Sequence, residues 1–227
     1  MKERICILIL VSCILSGMAM AAPSFLGTTG LIFIPNDRHL QAGDFSANFH
    51  SIDYDRGATE TILGANVGLT EELEVGVARI SFNRDGVGDD SETILNGKYS
   101  VLDETASRPS LLVGVLDAGG NLDEDDPGLY VLIGKNLTPA LSGVSGSPVS
   151  PIRGYVGLGT GALDGLFGGI EWSFNSKATL LAEFLTRNDS EFNFGARFAI
   201  SGGVRGDIAL IDGDDLGFGI SYTKLGL

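Results

Sequence analysis

The chain has 227 residues, with 29 acidic side chains against 15 basic ones for a formal charge of −14, and it carries 33 glycines but 7 prolines. That balance offers no basic face for nucleic-acid phosphates, and abundant glycine without a Gly-X-Y period excludes collagen and proline-rich disorder. Hydrophobic residues are 44% and charged ones 19%, enough apolar surface for a core or for a lipid-facing skin, in a length that one large β-barrel would use entirely.

Residues 1–21 read as a cleaved secretory signal peptide: Lys2, Glu3 and Arg4, then an apolar centre from Ile5 to Met18, then the small-x-small site Ala19-Met20-Ala21. The apolar run is too short for a spanning helix. Cys6 and Cys13 both fall inside it, so the expected mature chain has no thiol and a charge of −15. Leu10-Val11-Ser12-Cys13 leaves an alternative open, a lipoprotein box whose cysteine is lipidated and kept. Residues 22–42 then form a segment ahead of the barrel. Gly30 and Pro35 bracket an apolar stretch in it that either plugs the lumen or adds a thirteenth short strand, and Pro35-Asn36-Asp37 signals a turn.

From 43 to 227 the chain alternates at period two between turn signals and shows no sustained helical period. Strands are predicted at 43–54, 58–69, 73–82, 92–102, 109–118, 128–137, 152–160, 165–174, 177–187, 190–201, 203–211 and 215–224, twelve in all within a range of 10–14. In 191–201, for example, Phe192, Phe194, Ala196 and Phe198 fall on one face and Asn193, Gly195 and Arg197 on the other. Soluble strands average about 5–6 residues, whereas a tilted strand crossing a bilayer needs about 9–11, so the lengths favour a membrane barrel. In lipid the sheet must close, and an even strand number returns both ends to one side. The fold class is therefore all-β, a transmembrane antiparallel barrel forming one domain after the leader. Starting from the periplasm, each connection expected to face outward carries aspartate, including Asp123-Glu124-Asp125-Asp126 and Asp212-Gly213-Asp214-Asp215. The long uncharged stretch 137–151 lands on the periplasmic side, where turns are normally short, and suggests a count off by one hairpin.

The register places Glu60, Glu74, Lys98, Glu171, Glu183, Arg197, Arg205 and Asp207 in the lumen. Charges in a narrow barrel must pair or stay wet. They read either as a salt-bridged filled interior or as the lining of a small pore with weak cation preference, since acids outnumber bases. Asp215, Gly217, Ile220 and Tyr222 match a polar-x-Gly-x-x-apolar-x-apolar pattern that resembles the last-strand signal of outer-membrane barrels, although the chain ends in Leu227 rather than an aromatic residue.

His39 and His50 are the places to look for acid–base catalysis, with Ser46, Ser51 and Asp53 as partners, but no Gly-x-Ser-x-Gly context surrounds any serine and no catalytic residue is assigned. No histidine pair has zinc spacing, and neither aspartate cluster matches a calcium loop, so no metal or cofactor is expected. Gly157-Leu158-Gly159-Thr160-Gly161 ends a strand without a following helix and is not a phosphate loop.

Gly27-Thr28-Thr29-Gly30-Leu31-Ile32-Phe33-Ile34-Pro35-Asn36, with Gly43-Asp44-Phe45 after it, resembles the opening of the YjbH family of outer-membrane β-barrel proteins, in which Gly30, Leu31, Pro35 and Gly43 carry the motif. The stretches 64–78 and 95–102 add to the likeness. Several members of that family are much longer than this chain. The resemblance implies a non-enzymatic outer-membrane component that supports exopolysaccharide biosynthesis or secretion. A small passive channel is the alternative, and a barrel-embedded hydrolase or a soluble secreted β protein stand behind it. The expected partners are outer-membrane lipid and lipopolysaccharide, the barrel-assembly machinery, and exopolysaccharide or its export proteins, with no nucleic acid.

Overall fold

The computed structural model describes residues 21–54, 57–84, 89–122, 126–145, 149–187 and 190–226. Residues 1–20, which hold all of the expected signal peptide but Ala21 and include Cys13, the run 123–125 and the turn residues Asn188 and Asp189 lie outside them. Twelve strands form the barrel: β1 (Phe45–Tyr54), β2 (Ala58–Gly68), β3 (Leu73–Arg84), β4 (Asp89–Leu102), β5 (Ser110–Leu116), β6 (Gly128–Asn136), β7 (Ile152–Gly159), β8 (Gly165–Ser173), β9 (Ala178–Leu185), β10 (Glu191–Ser201), β11 (Val204–Ile211) and β12 (Asp215–Lys224). Each pairs antiparallel with its sequence neighbours, and β1 closes the sheet on β12 from Phe45↔Lys224 to Asp53↔Leu216. Closure leaves no edge strand, the only way a sheet can sit in hydrocarbon with its backbone satisfied.

Alternation sets the two surfaces. On β10 the odd residues Asn193 and Arg197 are buried while Phe192, Phe194 and Phe198 stand exposed, and on β12 Ser221 and Thr223 turn inward while Leu216, Phe218, Ile220 and Tyr222 face out. An apolar outer face with a polar or filled interior inverts the soluble pattern, as a membrane barrel requires. Tight turns fix the registers. Ser201 pairs with Val204 across Gly202 and Gly203, both at positive φ (52° and 89°), and Asp212 and Gly213 repeat this at 47° and 83°. Two successive left-handed residues match the strand twist in such hairpins, and glycine adopts them without a Cβ clash.

The uncharged stretch after β6 is not a missed hairpin. It holds a two-turn helix, α1 (Thr138–Ser145), which the periodicity reading did not anticipate; eight residues are too few for the 3.6 repeat to emerge, and Gly143 with three small hydroxyl residues blurs it further. A single 3₁₀ turn, Gly161–Leu163, joins β7 to β8.

Residues 21–44 do not add a strand. They make only isolated bridges, Pro23↔Thr29, Gly30↔Pro35 and Ala42↔Gly68, and run inside the barrel. Phe25, Leu31, Ile32, Ile34 and Leu40 are fully buried, and all but Leu40 pack with Ile52, Ile62, Leu132, Phe167 and Leu181 from the inner wall in one apolar cluster. Inner-wall glycines make the room: a Cβ at Gly169 would stand 2.6 Å from Leu31 Cδ2, one at Gly217 2.7 Å from Phe25 Cε2, and one at Gly195 3.1 Å from Ile32 Cδ1. Part of the glycine excess thus marks where the inner wall receives this plug.

Candidate functional site

The chemistry of the lumen is the interface between the plug and the wall. Plug backbone carries N–H and C=O groups that no ladder satisfies, and groups buried that deeply must find partners. Charged wall residues supply them.

Glu183 on β9 accepts the N–H groups of Ile32 (3.0 Å), Phe33 (2.8 Å) and Ile34 (3.2 Å), with Asn193 Nδ2 donating at 3.1 Å. Glu74 on β3 receives Thr29 N and Leu40 N at 2.8 and 2.9 Å and the Thr29 hydroxyl at 2.9 Å. Two cations cradle carbonyls in return. Arg197 on β10 donates to Gly30 O, Leu31 O and Pro23 O at 3.0–3.1 Å while its Nε pairs with Asp207 at 2.6 Å. Lys98 on β4 donates to Thr29 O, Asn36 O and Arg38 O, with Glu74 3.8 Å away. Glu171 on β8 binds Asn36 Nδ2 (3.2 Å), the Tyr155 hydroxyl (2.7 Å) and Arg38 (2.8 Å).

Six of the eight residues assigned to the lumen from the register, Glu74, Lys98, Glu171, Glu183, Arg197 and Asp207, are thus buried against the plug or one another. Glu60 sits higher, half-buried, and accepts the Tyr54 hydroxyl at 2.9 Å. Arg205 is half-buried on β11 two residues from Asp207. The motif residues Gly30, Leu31 and Pro35 lie in the plug, where Leu31 N bonds Ile34 O at 2.9 Å, and Gly43 turns the chain into β1 at φ 86°. Asp215 opens β12, Gly217 faces Phe25, and Ile220 and Tyr222 face outward.

Other groups of the network went unnoticed in the sequence. Arg153 on β7 pairs with Asp37 of the plug (2.5 Å) and with Glu104 (2.7 Å) of the 103–109 connection, which also holds Lys135 at 3.2 Å. Partial burial works against the charge of Glu104, but the Asn136 N–H, Arg153 and Lys135 outweigh it and hold its carboxyl below the ordinary carboxylate value. The signal for Arg153 was present, since the alternation that turns Val156 and Leu158 outward turns it inward.

His50 is wholly buried. Its ring stacks on Phe25 of the plug (4.0 Å between centroids, 18° between planes), its Nδ1 meets Asn48 Nδ2 at 3.0 Å, and its Nε2 faces Asp207 Oδ2 at 3.7 Å. Ser51 and Asp53 are displaced from it by the pleat, Asp53 being exposed on the outer face, so these residues do not assemble a triad; Ser46 accepts from Asn66, and His39 meets Glu71 O at 2.6 Å. Among the described residues no group of three or more acidic, histidine or cysteine side chains is placed to hold a metal ion.

Above the plug, at the end away from the termini, a cup of about 360 Å³ remains open. Leu26 and Phe33 of the plug, with Ile80 and Ile211 among the wall residues, supply apolar lining, and Glu60, Glu191, Asp212 and Asp215 line it together with Arg187.

No protein-family model matches the chain, and no curated protein sequence matches it significantly. The likeness to the YjbH family therefore finds no support there. Among solved structures the fold is similar to that of the KdgM porin (TM-score 0.55, 10% identity, 78% of this chain and 98% of that one). Omp33 of Acinetobacter baumannii matches at TM-score 0.45 and 12% identity over 81% of this chain and 98% of its own. The fold shared with the KdgM porin is a closed antiparallel β-barrel.

Proposed function

We propose that this protein is a porin-like outer-membrane barrel that passes small solutes with weak cation preference, its lumen restricted by the plug 22–42. The observation that carries the proposal is the way the plug is held. Most of its polar fastening comes from ionic side chains of the wall, with Asn66 and Asn96 holding Gly27 O and Leu26 O, so a displaced plug would uncover a charged, wettable surface, as a conducting lumen needs. The acidic cup favours entry of cations. The shared fold with a protein named as a porin supports the same reading.

The test is planar-bilayer conductance of the full chain and of Glu183→Gln, which weakens the plug. Discrete openings, larger or more frequent in the variant and with a cation-selective reversal potential, are expected. A variant as silent as its parent sinks the channel and leaves a filled scaffold.

The finer reading, support of exopolysaccharide biosynthesis or secretion, rests on the resemblance at Gly30, Leu31, Pro35 and Gly43. One observation favours keeping it: three of these residues build the plug, the part of the molecule that decides whether the lumen is open. Secreted polysaccharide measured with and without the protein, and with Gly30 and Pro35 replaced, tests it. Unchanged yield in all strains removes the reading.

A further inference from the structure

The helix α1 has no role in plugging or closing the barrel, yet it breaks a rule of the end on which it lies. The other connections of more than two residues at that end carry charge, Glu71 and Glu72, then Asp103, Glu104 and Arg108, then Lys177. Between Lys135 and Arg153 there is none. Instead Leu141 and Val144, three residues apart and so on one helix face, are exposed, Val144 to 90%. A surface valine that open in water gains nothing, whereas at a membrane boundary its burial is favourable.

The surroundings say which surface would cover it. Leu137, from which the helix departs, lies on the outer face of the barrel: its Cδ1 stands 2.9 Å from where a Cβ of Gly154 would be. Gly154 pairs with Ile170, an exposed residue of the outer face. The helix start is pinned beside that face by Ile152 N donating to Thr138 Oγ1 at 2.9 Å. Ile152 in turn pairs with Trp172, which is exposed and packs edge-on against Phe174 at 5.5 Å. Trp with an apolar neighbour at a barrel rim marks the level where hydrocarbon gives way to headgroups. The helix thus starts beside the lipid-facing belt and carries Leu141 and Val144 exposed on one face.

We propose that α1 is an interfacial anchor that lies in the periplasmic leaflet of the outer membrane, with Leu141 and Val144 at the boundary between headgroups and acyl chains. The inference rests on the outer-membrane reading of the barrel and is independent of whether the lumen conducts. Such an anchor fixes the depth and tilt of the β6–β7 side of the barrel.

The test uses the full chain with Cys6 and Cys13 absent, by cleavage or replacement with serine, and an environment-sensitive fluorophore on Val144→Cys. The protein is reconstituted in phosphatidylethanolamine–phosphatidylglycerol vesicles containing lipids with a nitroxide at a shallow or a deep acyl position. A second label at Lys177→Cys, in the β8–β9 turn, is the water-exposed reference. Shallow nitroxide is expected to quench the 144 label at least twofold more than the 177 label and more than deep nitroxide does. Equal quenching of both labels, with equal access to aqueous iodide, overturns the proposal. A second measurement needs no label: amide exchange in 140–144 is expected to be at least tenfold slower in vesicles for the parent than for Leu141→Asp/Val144→Asp, and equal rates overturn it too. Heat-modifiable gel mobility separates the two layers of the argument. An intact barrel with a wet α1 defeats the anchor alone, while a chain that is soluble without detergent and shows no shift defeats the barrel reading with it.

Discussion

Glu183→Gln tests whether the wall charges hold the plug. Each carboxylate oxygen receives two donors, Oε1 from Phe33 N and Asn193 Nδ2 and Oε2 from Ile32 N and Ile34 N. Glutamine keeps the shape but exchanges one oxygen for an NH₂ group, so whichever way the amide turns, two donors face a donor. Hydrogen bonds to a charged group contribute about 1.5–3 kcal/mol each, which puts the loss near 3–6 kcal/mol. Removing a buried charge offsets part of this, and the lower end is the expectation. At 1.4 kcal/mol per tenfold, the population of undocked plug should rise by roughly a hundredfold. Amide exchange of residues 32–34 in detergent or nanodiscs reads this directly, because opening exposes those three N–H groups while the strand ladders stay closed. Leu31 is the internal reference, since its N–H bonds Ile34 O within the plug. Exchange at 32–34 within about threefold of the parent, with strand protection unchanged, refutes the assignment of Glu183 as the plug's anchor.

Three further outcomes are expected. Gly219→Val drives a side chain into the His50 ring, which occupies the space over that glycine, and should destabilise the barrel by about 1–3 kcal/mol in urea unfolding. Phe194→Arg places a guanidinium among the lipid-facing aromatics of β10; at about 2–4 kcal/mol near the bilayer middle, the fraction folding into vesicles, read by heat-modifiable mobility, should fall several-fold, whereas equal folding would mean this face does not meet lipid. Because the folded-state value of Glu104 lies below its ordinary 4.5, its contribution is present above that value and lost as pH falls through the folded one. The melting temperatures of the parent and Glu104→Gln should therefore differ at pH 6–7 and converge as the pH falls through the lowered folded-state value, and a constant gap would contradict the Arg153 pairing.

The strands, their order and most of their limits were legible in the chain, because a two-residue period is a local property and a membrane barrel keeps it on every strand. The same period told which charges point inward, and for Glu74, Lys98, Glu171, Glu183, Arg197 and Asp207 the inner wall is where the fold puts them. It could not tell what they face. Cross-strand pairing couples some of those charges to one another, Arg197 with Asp207 and Lys98 with Glu74; Glu74, Lys98, Glu183 and Arg197 also reach for the backbone of the plug, Arg197 to Gly30 across 167 positions and Glu183 to Ile32 across 151. Backbone carbonyls and amides look alike in every residue, so the sequence carries no mark of which of them a buried charge will satisfy. The helix α1 escaped for a related reason, since its two turns gain their meaning from the outer wall beside them. Alternation thus determined inside and outside, and only the closed tertiary structure decided that the inside is occupied by residues 22–42 of the same chain, because closure creates a cavity whose buried charges and unsatisfied backbone must be paired with each other.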